Sequence, residues 1–207
     1  MKNKKALIVV DVQKDFCQNG ALAVPAGDEV VPVINDLMES KEYDLVVATL
    51  DWHPLNHKSF ASNNEIDGKA VPVGSMGELG GMPQVMWPNH CVMNTDGAKT
   101  HKDLHTEKVH RFFTKGSNKD IDSYSGFFDN DKKSSTGLGE WLKQKGITEV
   151  DVVGLALDYC VMATAVDAKT LGFKTNVIEN ATRAVNLSPD DGAKALVTLK
   201  EKGIEIK

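Results

Sequence analysis

Apolar residues fall into short, β-branched runs separated by polar stretches with helical spacing. The runs are ALIVVDV (6–12), LVVAT (45–49), VHRFF (109–113), VDVVGLAL (150–157) and KTNVIE (174–179), with GIEIK (203–207) as a sixth. Runs of this length, apolar almost throughout, predict strands buried on both faces. Between them, GDEVVPVINDLMES carries Val30, Ile34, Leu37 and Met38 at roughly helical spacing. GLGEWLKQKG offers Leu138, Trp141 and Leu142, with Gly146 as a stop, and CVMATAVDAKTLGF ends at Gly172. SPDDGAKALVTLKEKG has Ser188 as a cap candidate, Pro189 at the first helical position and Gly203 as its end. Strands alternating with helices predict an α/β fold in three layers. Its centre is a mostly parallel six-stranded sheet, with helices on both faces. The chain of 207 residues suits a single domain over 1–207. The rhythm breaks at about 51–106. That loop region is rich in Gly, Pro and Asn and holds Trp52, Trp87 and four histidines before His105. A loop of that length is functional or disordered, and its tryptophans and histidines argue for function.

Composition narrows the partners. Lys and Arg number 24 against 29 Asp and Glu, a net charge of −5. An acidic chain without a basic tract excludes nucleic acid and anionic membrane as main partners. The opening ALIVV is stopped by Asp11, so it reads as a strand rather than a signal peptide, and no apolar run approaches the ~20 residues of a membrane span. Three cysteines, an odd count, suit free thiols in a reducing cytoplasm.

Ligands of open parallel sheets bind beyond the carboxyl ends of the strands. Asp11 ends the first strand. The second runs into Asp51-Trp52-His53, the third into Thr114-Lys115-Gly116, and the fourth into Asp158-Tyr159-Cys160. An acid, an acid–histidine pair, a lysine and a cysteine therefore meet on one rim. A free cysteine is usually a small buried apolar residue. Cys160 differs in standing at a helix start, where the dipole lowers a thiol's pKa, with Lys115 as a candidate cationic neighbour. Backbone N–H groups at that turn could meet an oxyanion. Cys17 and Cys91 lack this setting and read as structural. Asp11 follows an apolar run, so burial should raise its pKa and suit it to proton transfer. Asp51 and His53 share strand-like i, i+2 spacing, and His90 in WPNHC could add a third ligand. Imidazole and carboxylate suit a borderline divalent ion such as Zn2+. Two loop histidines and a capping aspartate are the plainer alternative.

With these residues in hand, the sequence resembles the nicotinamidase (pyrazinamidase) family of isochorismatase-like cysteine hydrolases. The resemblance spans essentially the whole chain, through LIVVDVQKDFCQNGALAV, TLDWHPLNHKSF, WPNHCV, FTKG, DSYSGFFDN and GLALDYCVMATAVDA in that order. It implies a catalytic triad of Asp11, Lys115 and Cys160, and an oxyanion hole from the backbone of Ala156 and Cys160. It implies one divalent metal ion, foremost Zn2+ with Mn2+ or Fe2+ as alternatives, on Asp51, His53 and His90. His57 matches a histidine that some members place near the metal. Phe16, Leu22, Trp87, Tyr124 and Tyr159 match walls of a ring pocket, and Leu155–Ala156 matches a cis peptide bond. The implied reaction hydrolyses nicotinamide to nicotinate and ammonia, and pyrazinamide to pyrazinoate, through a thioester on Cys160, in NAD salvage. The implied partner is a small-molecule substrate, and a homo-oligomer is compatible with the sequence.

Four rivals stand beside this one. Another hydrolase of the same fold, acting on a carbamoyl compound or isochorismate, would not need a metal-held pyridine. A non-catalytic metal- or ligand-binding α/β protein would not need Asp11, Lys115 and Cys160 together. A thiol redox protein is weakened by the lack of a C-x-x-C pair. A dinucleotide binder is weakened because DVQKDF, not a G-x-G-x-x-G, follows the first strand.

Overall fold

The computed structural model of the chain describes residues 4–207. All six expected strands form: β1 Lys4–Val10, β2 Leu45–Asp51, β3 Arg111–Lys115, β4 Ile147–Leu155, β5 Lys174–Arg183 and β6 Glu205–Ile206. They make one sheet in the order β6-β5-β4-β1-β2-β3, and every pairing is parallel. Four α-helices accompany them: α1 Val30–Glu39, α2 Leu138–Gln144, α3 Met162–Thr170 and α4 Asp191–Glu201.

The three layers follow from the two-residue period of β1. Ala6, Ile8 and Val10 face a core with Leu138 and Leu142 of α2, Ala165 and Ala168 of α3, and Leu199 of α4. Leu7 and Val9 face the opposite core, with Val30, Ile34 and Met38 of α1. Leu7, Ile8, Val9 and Val10 are fully buried. At about 1.5–3 kcal/mol per side chain, their burial is comparable with the whole net stability of an ordinary domain. That is why the most apolar run lies in the sheet's interior, between β4 and β2. Gly154 of β4 sits at φ 108°, and a Cβ there would collide with the Val10 carbonyl, so only glycine allows this close approach to β1.

Three local expectations change. First, residues 51–106 are not devoid of regular structure. Glu65–Ile66 pairs with Lys69–Ala70, and Met76–Leu79 with Met82–Val85, as two antiparallel hairpins. Their turns are Asp67-Gly68 and Gly80-Gly81, all four residues at positive φ. Paired positive φ values give the tight turn that matches strand twist. Second, α4 starts at Asp191, not at Pro189. The Asp191 carboxylate accepts the Ser188 N–H at 2.8 Å, closing a turn ahead of the helix. Third, strand ends shift. β4 stops at Leu155 rather than Leu157, and β3 extends to Lys115, which makes that lysine the last residue of a strand. α1 and α3 end close to where the sequence placed them.

Candidate active site

The carboxyl ends of β1, β2, β3 and β4 bring the predicted chemistry together. Asp11 follows β1 directly and takes a left-handed φ of 49°. It is fully buried, and Thr49 Oγ1 donates to its Oδ1 at 2.6 Å. Lys115 Nζ lies 2.9 Å from Asp11 Oδ2, 3.0 Å from Asp51 Oδ1 and 3.4 Å from Cys160 Sγ, and donates to the Ser123 carbonyl at 2.8 Å. One ammonium thus touches both acids and the thiol. Leu157–Val161 is a π turn that opens α3, so Cys160 stands within the first turn of the helix rather than at its cap. The Leu155–Ala156 peptide bond is cis.

Burial shapes the proton affinities. It pushes Asp11 above its ordinary carboxylate value, and the Lys115 charge offsets only part of that rise. Burial likewise pushes the Cys160 thiol well up, against the opposing pull of Lys115. The sequence expectation of a helix dipole and a lysine lowering this thiol is therefore corrected. Desolvation, joined by the nearby Asp11 and Asp51 charges, outweighs Lys115, and Cys160 rests as a thiol facing Asp11. Lys115 shows the reverse balance. Burial would lower it, but Asp11, Asp51 and the thiol together hold it well above its usual value, fully charged. Burial disfavours the Asp51 anion, yet His53 and Lys115 keep it well below the usual range.

Asp51, His53 and His90 present oxygen and nitrogen atoms within 4.8 Å of one another, all buried. His53 Nδ1 lies 2.8 Å from the Gly116 carbonyl, and His90 Nδ1 lies 2.7 Å from that of Pro88. A carbonyl only accepts, so each Nδ1 carries a proton and each ring points its Nε2 inward, the atom that would bind a cation. Those Nε2 atoms lie 2.9 and 3.3 Å from Asp51 Oδ2. Burial would lower His53, but Asp51 beside it draws its pKa up to about 9, so without a metal the His53 Nε2 carries a second proton toward Asp51, which a bound cation would displace. A carboxylate and two inward Nε2 atoms, once deprotonated, are a donor set suited to a divalent cation. Gly116 sits at φ 70°, and a Cβ there would come within 2.5 Å of the His53 ring. Gln13 braces Asp51: its Nε2 donates to the Asp51 carbonyl and its Oε1 accepts the Asp51 N–H, both at 2.8 Å.

His57 belongs to a different group. It is fully buried beside His53, ring centres 4.4 Å apart, and clusters with His53 and Asp122 rather than with Asp51 and His90. The Ser59 N–H donates to its Nδ1 at 3.1 Å, so a neutral His57 carries its proton on Nε2 and offers no lone pair there. Phe16, Leu22, Trp87, Tyr124 and Tyr159 line one pocket together with Ala156 and Cys160. Asp122 and Val185 line it too and were not anticipated. Val185 lies just past the observed end of β5 at Arg183, but the sequence ended that strand at Glu179, so the strand-end rule falls short of it. Asp122 and Gln13 carried no signal. Among the described residues all three cysteines are free, and no helix is long and apolar enough to cross a membrane.

Fold and site define a parallel α/β protein that holds a cysteine–lysine–aspartate cluster against a metal-competent carboxylate and two histidines. Residues 5–206 match the Isochorismatase domain, and the chain belongs to that family. It is 45% identical to a nicotinamidase of Escherichia coli (strain K12), over 96% of this chain and 92% of the relative. A solved nicotinamidase–pyrazinamidase of Acinetobacter baumanii superposes with a TM-score of 0.92 at 41% identity, covering 100% of this chain and 96% of that one. A pyrazinamidase of Pyrococcus horikoshii, solved in complex with zinc, superposes with a TM-score of 0.78 at 36% identity, covering 99% and 98%.

Proposed function

We propose that this chain is a cysteine amidohydrolase that converts nicotinamide to nicotinate and ammonia, and accepts pyrazinamide, in NAD salvage. The whole chain, 1–207, acts as a single hydrolase domain in a reducing compartment. The observation that carries the reading is Lys115 Nζ in contact with Asp11, Asp51 and Cys160, of which Asp51 and Cys160 line an aromatic pocket. The relatives' names support the substrate.

In this reading Phe16, Leu22, Trp87, Tyr124 and Tyr159 hold a flat ring with its carboxamide over Cys160. Asp11 takes the thiol proton as Sγ bonds to the amide carbon. The carbonyl electron pair moves onto oxygen and is met by the Ala156 and Cys160 N–H groups. One such donor is typically worth about 10²–10³ in rate. Asp11 returns the proton to nitrogen as the carbon–nitrogen bond breaks and ammonia leaves. Water then gives a proton to Asp11 and attacks the thioester. The carboxylic acid leaves, and Cys160 recovers its proton. Lys115 stays charged and holds Asp11 in place. Asp51, His53 and His90 would hold one divalent ion, Zn2+ before Mn2+ or Fe2+. When bound it supplies a Lewis-acidic position for a ring nitrogen.

Ammonia release from nicotinamide, pyrazinamide and benzamide tests this reading. Nicotinamide and pyrazinamide are expected to turn over, and benzamide, without a ring nitrogen, poorly. Equal turnover of benzamide removes the metal-anchored ring, and no turnover of any amide removes the hydrolase. Dialysis against a strong chelator is expected to abolish activity and added Zn2+, Mn2+ or Fe2+ to restore it.

A further inference from the structure

The second hairpin carries none of the reacting groups, yet it delivers one polar side chain into the molecule. Gln84, on its returning strand Met82–Val85, is 2% exposed. Its amide nitrogen has two hydrogens and three acceptors within reach. They are Asp122 Oδ2 at 2.8 Å, Tyr124 Oη at 3.0 Å and the Val85 carbonyl at 2.9 Å. Two of these groups only accept, so the nitrogen, not the oxygen, faces them. Tyr124 Oη also accepts the Trp87 Nε1–H at 3.2 Å.

Asp122, Tyr124 and Trp87 all line the ring pocket, whereas Gln84 does not. The aromatic walls meet edge to face: Trp87 against Tyr159 at 4.9 Å, and Tyr124 against Tyr159 at 5.4 Å. Edge-to-face contacts are worth only about 0.5–1.5 kcal/mol each and leave the rings room to tilt. The hydrogen bonds at their rims fix the tilt. Gln84 supplies the bond that joins the Tyr124 rim to a buried carboxylate. Asp122 Oδ1 in turn accepts the Ser123 N–H at 2.8 Å, and the carbonyl of Ser123 accepts Lys115.

We infer that Gln84 is a positioning residue that sets the width of the slot between Trp87 and Tyr124, and with it the affinity for a flat heteroaromatic ring. It acts without touching the substrate. The inference rests on the ring-binding part of the proposed function. It gives the second hairpin a role: it is the arm that carries this amide to the pocket.

Gln84→Met keeps the length and removes the donor, and Gln84→Glu keeps the shape and puts a second acid beside Asp122. On metal-loaded enzyme, normalised to alkylatable Cys160, Gln84→Met is expected to raise the KM for nicotinamide roughly tenfold, the scale of one hydrogen bond to a charged group. Its kcat should stay within about threefold, and Gln84→Glu should raise KM further. Tyr124→Phe should raise KM by itself, but its effect on top of Gln84→Met should be less than multiplicative, because the Gln84–Tyr124 bond is lost in both and only the Trp87 bond is lost in addition. The dissociation constant for nicotinamide, read by tryptophan fluorescence in a Cys160→Ala background, should rise by the same factor as KM. This binding arm separates the two claims. If the wild type releases no ammonia, the hydrolase reading falls, while the binding shift still judges Gln84. Unchanged affinity in both Gln84 variants, or fully multiplicative effects of Gln84→Met and Tyr124→Phe, would overturn the inference. So would a loss confined to kcat and melting temperature.

Discussion

Two buried charge clusters share the central sheet and serve opposite ends. Toward the amino-terminal half of the sheet, Asp151, midway along β4, is 1% exposed. Its oxygens are closed off by Lys5 at 2.7 Å, Tyr43 Oη at 2.8 Å and Asn176 Nδ2 at 2.6 Å. At the carboxyl ends, Lys115 lies between Asp11 and Asp51, with the Cys160 thiol and two inward-facing imidazole nitrogens around them. The first cluster is complete within the protein: the buried carboxylate has three hydrogen-bond donors and Lys207 at 3.7 Å, and Asn176 and Lys207 also reach Glu149 at its edge. The second is open. It has two acids facing one lysine and a histidine that Asp51 holds protonated, a thiol pushed up by burial, and ring nitrogens aimed at the same carboxylate oxygen. Burying charge is costly unless each charge is paired. A closed cluster recovers that cost within the fold. An open one recovers it only when a cation or substrate arrives, and that is the mark of a reactive site.

Removing the thiol tests this contrast most severely. Cys160→Ala is expected to cut ammonia release by about 10⁴-fold or more, since nucleophile, base and lysine act as a unit. It should retain metal and nicotinamide binding, measured by metal analysis and fluorescence titration. Substantial residual turnover sinks the covalent route. Asp11→Asn comes next, with an expected loss of about 10²–10⁴ in kcat, the range of one proton-transfer group. The wild-type pH profile carries the matching signature. Asp11 must be ionised to accept the thiol proton, and burial raises its pKa. Activity should therefore fall with acid at a pH above the ordinary aspartate value of ~3.9. An acid limb at or below that value contradicts the assignment.

Stability separates the clusters further. Lys115→Met leaves two buried carboxylates without their cation and should cost about 3–5 kcal/mol in denaturant unfolding, along with activity. Asp151→Asn should cost less, about 1–3 kcal/mol, because the Lys5 side chain is 18% exposed and can turn to water. It should leave kcat and KM untouched; a catalytic defect there would erase the distinction. The smallest effect is in pH. Burial would raise Asp151, but hydrogen bonds from Lys5, Asn176 and Tyr43 hold its pKa below the ordinary value. Its folded pKa is depressed, so its stabilisation is present above the unfolded value of ~3.9 and fades as pH falls through the depressed one. The stability gap between wild type and Asp151→Asn should narrow below about pH 4, where a gap that widens would reverse the sign.

Much of this was legible in the chain. Six apolar runs separated by helical stretches specified a parallel sheet covered on both faces, because β-branched runs buried on both sides have few other homes. The strand-end rule then put Asp11, Asp51, His53, Lys115 and Cys160 on one rim. Other features escaped. The turns Asp67-Gly68 and Gly80-Gly81 were visible signals of hairpins, overlooked in a stretch with no clear periodicity. Gln84 and Asp122 had no signal, since their partners lie 38 residues apart. Gln13, next to Asp11, was hidden by its surroundings: nothing local says that a glutamine will brace an aspartate across two strands.

The sequence by itself determined the fold class, the sheet's direction and the residue types on its reactive rim. Periodicity and strand order are local or nearly local properties, and the parallel arrangement follows from them. Tertiary structure decided the charge states and the division of labour. Whether Cys160 rests as a thiol or a thiolate depends on desolvation against a lysine from another strand. Whether His57 or His90 joins Asp51 depends on which ring nitrogen a backbone carbonyl or N–H has claimed. Those outcomes are set by distances of about 3 Å between segments far apart in the chain, where electrostatic energies change most steeply.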